Sequence, residues 1–311
     1  MKNAKDNILL FLKGMAMGGA DVVPGVSGGT IAFISGIYLE LLNSINSFDK
    51  NAIQLLLSWK ISDLWKYVNG KFLITLLGGI LVSVLSLAKV LHFLLNHHPI
   101  QLWSFFFGLI IISALVVSRQ IIHWRAPDII SGIAGIIIAF FLTGAAPAVT
   151  PDNYLFIFFS GAIAICAMIL PGISGSFILL ILGKYEFIIE SVKDFNIPVI
   201  AIFGLGCVVG LLSFSRLVSW LLKKYHDLTV ALLAGFMIGS LNKIWPWKET
   251  ISTRLNSKGE LVPVIQKNLW PTEFMGKVGE PLVLQAIVYC CIGILLIIGI
   301  EKIARLAKQK H

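Results

Sequence analysis

Charged side chains are scarce in this chain. Only 13% of its 311 residues are Asp, Glu, Lys or Arg, where soluble domains carry roughly a quarter. Hydrophobic residues make up 57% and the mean hydropathy is +0.88. That excludes an ordinary soluble domain and indicates a polytopic membrane protein. Cysteine is nearly absent: Cys166, Cys207, Cys290 and Cys291 all lie in apolar segments, with no Cys/His pair at metal-ligand spacing. Adjacent cysteines rarely bridge, so these read as small packing residues. There is no glycine-rich nucleotide loop ending in Gly-Lys-Ser/Thr, and no acidic cluster suited to metal-dependent prenyl or glycosyl transfer. Ser215-Arg216 and Ser118-Arg119 lack the His and Asp neighbours of a membrane lipid phosphatase. No enzymatic activity, no cofactor and no metal is therefore expected. Transport, if that is the task, draws on a gradient (proton or sodium) or on the substrate's own imbalance. The net charge of +9 sits in particular loops, which reads as topology and attraction to anionic lipid, not as nucleic-acid binding.

What is present is a set of long apolar runs, at 72–95, 101–118, 129–146, 198–222, 228–245 and 282–301. Each approaches the ~20 residues that cross a bilayer. Two further apolar regions are interrupted by nearly the same words, Pro24-Gly25-Val26-Ser27-Gly28-Gly29 and Pro171-Gly172-Ile173-Ser174-Gly175-Ser176. Pro removes a backbone donor and Gly adds conformational entropy. In lipid such a break survives only where its freed amides line a cavity or meet a ligand. The arms around the first break are 8–23 and 29–45, and around the second 154–170 and 176–192. At ~1.5 Å per residue each arm reaches ~24 Å, short of a ~30 Å hydrocarbon core. Each pair reads as a helical hairpin that dips into the membrane and returns, although two thin, tilted spans meet the same counts.

The duplication extends beyond the breaks. Aligning Pro24 with Pro171 pairs Ala20 with Ala167, Ile31 with Ile178, Gly36 with Gly183 and Tyr38 with Tyr185. After an insertion in the first half, one register pairs Leu85-Ser86 with Leu212-Ser213, Lys89 with Arg216, Gly108 with Gly235 and Ser113 with Ser240. Lys and Arg cluster before and after the first hairpin (Lys2, Lys5, Lys13; Lys50, Lys60, Lys66, Lys71) and again at Arg119/Arg125, Lys223/Lys224 and Lys302 to Lys310, while the loops 96–100 and 147–153 have none. The positive-inside rule then places both termini in the cytoplasm. Each half contributes three crossings, an odd number, so the second half is inverted. The expected fold is an all-α polytopic membrane protein of two inverted repeats, each a re-entrant hairpin plus three transmembrane helices. The first repeat is 1–150, with hairpin 8–45, a cytoplasmic amphipathic helix at 51–69 and spans 72–95, 101–118 and 129–146. The second is 151–311, with hairpin 154–192, spans 198–222, 228–245 and 282–301, and a long polar external loop at 246–280. The N-terminal apolar run leads into the first break rather than to a cleavage site, and retention is expected.

Candidate site residues follow from depth and repetition. Ser27 or Thr30, and Ser174 or Ser176, are placed to cap the second arms and present their free N–H groups. Helix N-termini flanked by Gly25, Gly28, Gly29, Gly172 and Gly175 suit an anion, especially a phosphate. The plain alternative is close packing at a hairpin tip; repetition in inverted halves favours function. Lys89 and Arg216 lie inside apolar runs at equivalent positions, and a cation at membrane depth costs about 3 kcal/mol even on the lenient insertion scale. They read as paired ligands for an anionic head group, with snorkelling to the interface as the alternative for Lys89. Asp21, Glu40 and Glu186 are candidates to carry a coupling proton or to pair with these cations, against simple solvation at helix ends or, for Glu186, pairing with Lys184.

The run Gly18-Gly19-Ala20-Asp21-Val22-Val23-Pro24-Gly25-Val26-Ser27-Gly28-Gly29-Thr30, together with Ile165-Cys166-Ala167-Met168-Ile169-Leu170-Pro171-Gly172-Ile173-Ser174-Gly175-Ser176-Phe177, resembles a bacterial and archaeal family of membrane proteins. That family was long labelled only as a domain of unknown function and was then assigned as polyprenyl-phosphate (undecaprenyl-phosphate) transporters. The resemblance covers essentially the whole chain. It implies a flippase of the cell membrane that returns the lipid carrier from the outer to the inner leaflet after cell-wall polymer assembly, alone or as an oligomer. The rival readings are a transporter or channel for a small anion and a non-transporting membrane scaffold.

Overall fold

The computed structural model describes residues 4–23, 25–148, 150–255 and 261–309. Lys2, Pro24 and Lys310 of the sequence argument lie outside them. The first half runs α1 (Ala4–Val22), α2 (Gly28–Ile34), α3 (Tyr38–Asn46), α4 (Lys50–Leu57), α5 (Ile61–Tyr67), α6 (Gly70–His97), α7 (Pro99–Ser118) and α8 (Ala126–Gly144). The second runs α9 (Tyr154–Ile169), α10 (Gly175–Ile181), α11 (Tyr185–Lys193), α12 (Ile197–Lys224), α13 (His226–Ser240), strands β1 (Lys248–Leu255) and β2 (Leu261–Asn268), α14 (Pro271–Lys277) and α15 (Val283–Gln309). Five helices (α6, α7, α8, α12 and α15) are long and apolar enough to cross a membrane. The protein is a mostly helical, multi-pass membrane protein. Burial reaches 61% in α7 but only 17% to 28% in the other four, so α7 is the inner helix and the rest offer faces to lipid.

Both hairpins turn back. Gly28 at the start of α2 contacts Asp21 near the end of α1, and Ser35 just past α2 accepts a bond from Lys13, lower on α1. In the second half, Gly175 packs on Ala164, while Lys184 beyond α10 reaches Asp152 at the foot of α9. The returning arms are not the single helices expected at 29–45 and 176–192. α2 ends after seven residues and α3 leaves at 113° to it. At Gly36 (φ 74°) the Gly36 N–H donates to Phe33 O and the Ile37 N–H to Ala32 O, a glycine C-terminal stop. Gly183 (φ 64°), its partner in the alignment, ends α10 with the same two bonds, to Leu180 O and Leu179 O.

The amphipathic segment expected at 51–69 is likewise two helices. Trp59, at φ 56°, terminates α4 with this bonding pattern although it is not glycine. Ile53, Leu56, Leu57 and Ile61 remain exposed there. The expected span 228–245 also stops early. α13 ends at Ser240, and tightened bonds from Leu241, Asn242 and Lys243 to Ile238, Gly239 and Ser240 lead out of it towards Pro246, which cannot continue a helix. The region 246–280 is not a plain loop. It holds the antiparallel pair β1–β2, in register at Lys248↔Asn268 and Thr250↔Gln266, and then α14.

Helices pair through small residues that let backbones approach closely. Gly14 and Gly18 of α1 pack on Leu76 and Ile80 of α6; Gly161 of α9 meets Phe203 of α12; Gly135 of α8 meets Leu232 of α13; Gly108 of α7 meets Cys290 of α15. Helices α7 and α13, equivalent in the alignment, run antiparallel. Trp103 near the start of α7 lies against Lys248 beyond the end of α13, and the Ile122 and His123 N–H groups past α7 donate to Asp227 at the start of α13 (3.2 and 3.3 Å).

Candidate binding site at the crossed breaks

The two breaks are bonded to each other. Ser27 is the N-cap of α2: its Oγ accepts from the Gly29 N–H at 3.1 Å and donates to Leu170 O in the other half, also at 3.1 Å. In return, the Gly172 N–H donates to Thr30 Oγ1 at 2.9 Å. A Cβ at Gly29 would lie 2.6 Å from Ile169 O, and one at Gly172 would lie 2.8 Å from Met237 Cα. The glycines are therefore what allow the crossing. Ser27, Thr30 and Ser174 are buried. A buried polar group needs a partner, and for Ser27 and Thr30 it comes from the opposite half.

The N-terminus of α2 is not the open anion site expected. Asp21 reaches across the first break and accepts the Gly28 N–H at 2.7 Å, while Ser27 takes that of Gly29. The carboxylate already occupies the place a phosphate was assigned, which is where a helix favours negative charge. The second half has Met168 at the equivalent position. There Ser174 makes no capping bond, and its Oγ pairs with Ser176 Oγ at 2.9 Å, next to Gly175.

The structure adds a cation that sequence reasoning missed. Lys243, three residues past α13, lies against the first break: a Cβ at Gly25 would come within 2.8 Å of its Cγ. Its ammonium sits 4.4 Å from the ring centroid of Phe177, on the second returning arm. Lys248, in β1, donates to Lys243 O at 2.5 Å and lies 3.8 Å from the Trp103 ring centroid. Burial, with the Lys243 charge adding to it, pushes the Lys248 ammonium well below the ordinary lysine range. Both lysines line a cavity of about 280 Å³ between the ends of α8 and α13 and strand β2. Thr143, Asn242 and Asn268 also line it, joined by bonds from Asn242 Nδ2 to Thr143 Oγ1 (3.4 Å) and from Asn268 Nδ2 to Asn242 Oδ1 (2.8 Å). Trp245, whose Nε1–H donates to Leu269 O next to Asn268, packs edge-on against Trp247 and Trp270, as in an interfacial aromatic belt. The signal for Lys243 was in the sequence: a lysine inside the expected span 228–245.

The remaining candidates lie elsewhere. Arg216 is exposed on α12 and donates to Phe48 O at 3.3 Å, just past α3. It adds weakly to what holds the Asp49 carboxyl below the usual carboxylate range, behind the Ala52 N–H and the Tyr67 hydroxyl. Lys89 is exposed on α6. No hydrogen bond or ion pair joins either cation to a break among the described residues. Glu40 accepts from Asn69 at 3.2 Å, and Glu186 is half-buried in the first turn of α11. Lys184, expected beside Glu186, is buried and instead binds Asp152 and Thr150 O, with the Phe156 and Phe187 rings about it.

The model of the VCA0040-like family, described as undecaprenyl phosphate translocase-like, matches residues 17–262. The chain belongs to that family. A polyprenyl-phosphate transporter of Vibrio cholerae serotype O1 is 50% identical over 295 residues, 94% of this chain and 96% of that protein. A polyprenyl-phosphate transporter of Staphylococcus aureus is 33% identical over 255 residues, 76% of this chain and 85% of that one. No solved structure matches. Both breaks, Lys243 and Lys248 fall inside the segment matched to the translocase-like family.

Proposed function

We propose that this protein returns undecaprenyl phosphate, or a related polyprenyl phosphate, from the outer to the inner leaflet of the cytoplasmic membrane. Its two halves form an inverted pair, with both termini cytoplasmic, and they rock about the crossed breaks to expose one head-group site to each leaflet in turn. The observation that carries this reading is the reciprocal bonding of the breaks, Ser27 to Leu170 and Thr30 to Gly172. It joins the two halves at the breaks themselves, the points that this reading places inside the bilayer. The antiparallel course of α7 and α13 fits the inversion, and the names of the relatives supply the substrate class. Such a lipid has a small anionic head and a long apolar tail. Only the head needs shelter, because the tail can stay in lipid.

The test is reconstitution of the full chain in liposomes, with labelled polyprenyl phosphate in the outer leaflet and its loss to the inner leaflet measured against protein-free liposomes. Parallel samples carry inorganic phosphate and chloride. Movement of the lipid but not of the inorganic anions is expected. Movement of inorganic anions alone would make the protein a small-anion carrier, and movement of neither would leave it a scaffold.

A further inference from the structure

We infer that Lys243 and Lys248 form the receptor for a phosphate monoester on the β1–β2 side of the protein, in the cavity between the ends of α8 and α13 and strand β2. This rests on the transport reading above and assigns the head-group contacts to this lysine pair rather than to Lys89 and Arg216. Lys243 links the first break to the second returning arm, with its stem on Gly25 and its ammonium over Phe177. Lys248 is tied to it through the Lys243 carbonyl, so the two charges share one wall. None of the residues lining the cavity is acidic; a third lysine, the exposed Lys267 of β2, lies at its rim, and neither Lys243 nor Lys248 is ion-paired among the described residues. The amides of Asn242 and Asn268 and the Thr143 hydroxyl bond mainly to one another. The ammonium groups have aromatic rings and one carbonyl as partners but no carboxylate among the described residues. Two like charges in a low-dielectric wall are costly unless an anion joins them. Size narrows the ligand further. At about 280 Å³, the cavity falls just below the ~300–1,000 Å³ that buries a drug-sized molecule. It is large enough for a phosphate head and too small to enclose a long prenyl chain.

Binding is measured on the purified full chain in detergent with farnesyl phosphate, inorganic phosphate and farnesol as probes. Lys243→Gln and Lys248→Gln are each expected to weaken farnesyl phosphate by roughly tenfold or more, the ratio for one lost charge-assisted hydrogen bond. Lys243→Arg retains most of the affinity, and Lys89→Gln leaves it unchanged. Inorganic phosphate that competes as tightly as farnesyl phosphate keeps the phosphate receptor but makes its source free phosphate; farnesol that competes equally overturns it. Should the lysine variants fail to fold, amine acylation of the wild-type chain, read by mass spectrometry, decides the matter. Farnesyl phosphate must protect Lys243 and Lys248 several-fold more than Lys89, and equal protection overturns the assignment. Full lipid movement in liposomes by Lys243→Gln sinks this site and leaves the transport reading intact. Protection at Lys243 in a wild-type protein that moves no lipid does the reverse.

Discussion

Replacing Thr30 with valine removes one atom that the crossing depends on. The two side chains are nearly the same shape, and Thr30 is fully buried, so the change deletes the acceptor of the Gly172 N–H without opening a cavity. That N–H cannot readily turn elsewhere, because Gly172 is held at φ 86° against the Met237 backbone. An orphaned buried donor costs about 1–3 kcal/mol, a factor of roughly 5–150 in an equilibrium constant. Unfolding in a denaturing-detergent titration, followed by tryptophan fluorescence, should shift by that amount. Thr30→Ser, which keeps the hydroxyl, should recover most of it. If the bond closes the two halves in one state of a transport cycle, Thr30→Val also shifts that state's population and changes the rate of lipid movement. Ser27 and Thr30 brace the same crossing, so Ser27→Ala and Thr30→Val should be non-additive. A Thr30→Val protein as stable as wild type, or one additive with Ser27→Ala, would falsify the cross-brace as an energetic link.

Three further outcomes follow from the same geometry. Ser27→Ala should cost more stability than Ser174→Ala, because Ser27 both caps α2 and reaches Leu170 while Ser174 bonds only Ser176; a cap alone is worth about 1 kcal/mol, and equal losses in a detergent titration would contradict the asymmetry. Gly172→Ala should abolish folded, monodisperse protein on size-exclusion chromatography, since its Cβ meets the Met237 and Phe236 backbone, whereas Gly36→Ala, with nothing within 4 Å, should pay only the left-handed strain of about 1–2 kcal/mol. Asp152→Asn should lower the unfolding midpoint more than Lys184→Met, because it leaves a buried ammonium among Phe156 and Phe187 while the methionine fills the same space without charge; the reverse order in the same titration would show that this pair's value is not in neutralising Lys184.

Much of the fold is written as apolar length, which is why five of the six expected spans stand as long helices. Both breaks were readable from Pro and Gly inside runs too short to cross. What failed were the stops that carry no conspicuous signal. Trp59 ends α4 in a left-handed conformation that a bulky residue rarely adopts, and the i, i+3, i+4 apolar pattern runs straight through it. The end of α13 was hidden because Leu241 and Ile244 keep the window apolar past Ser240, and that same window absorbed Lys243. In β1 and β2, polar residues and Pro263 blur the alternation by which a strand is read.

The site was harder for a reason that lies in symmetry itself. Pairing residues across a duplication selects what the two halves share, and these residues build only part of the crossing: Ser27 and Gly172 take part in it, but Thr30 and Gly29 align with Phe177 and Ser176, and Ser174 bonds only Ser176. Lys89 and Arg216 passed the same filter because they share a register, and each is an exposed residue on a long helix. The groups that distinguish one side of the crossing from the other have no such partner. Asp21 aligns with Met168 and Lys243 with Val116, so a search for repeated features discards both. Yet Asp21 closes one helix end to anions and Lys243 brings a cation to the same break. A head group presented to this crossing meets a carboxylate on the α2 end and ammonium groups beside β1. On the proposed reading, the direction from which a phosphate approaches is set by these two unpaired residues.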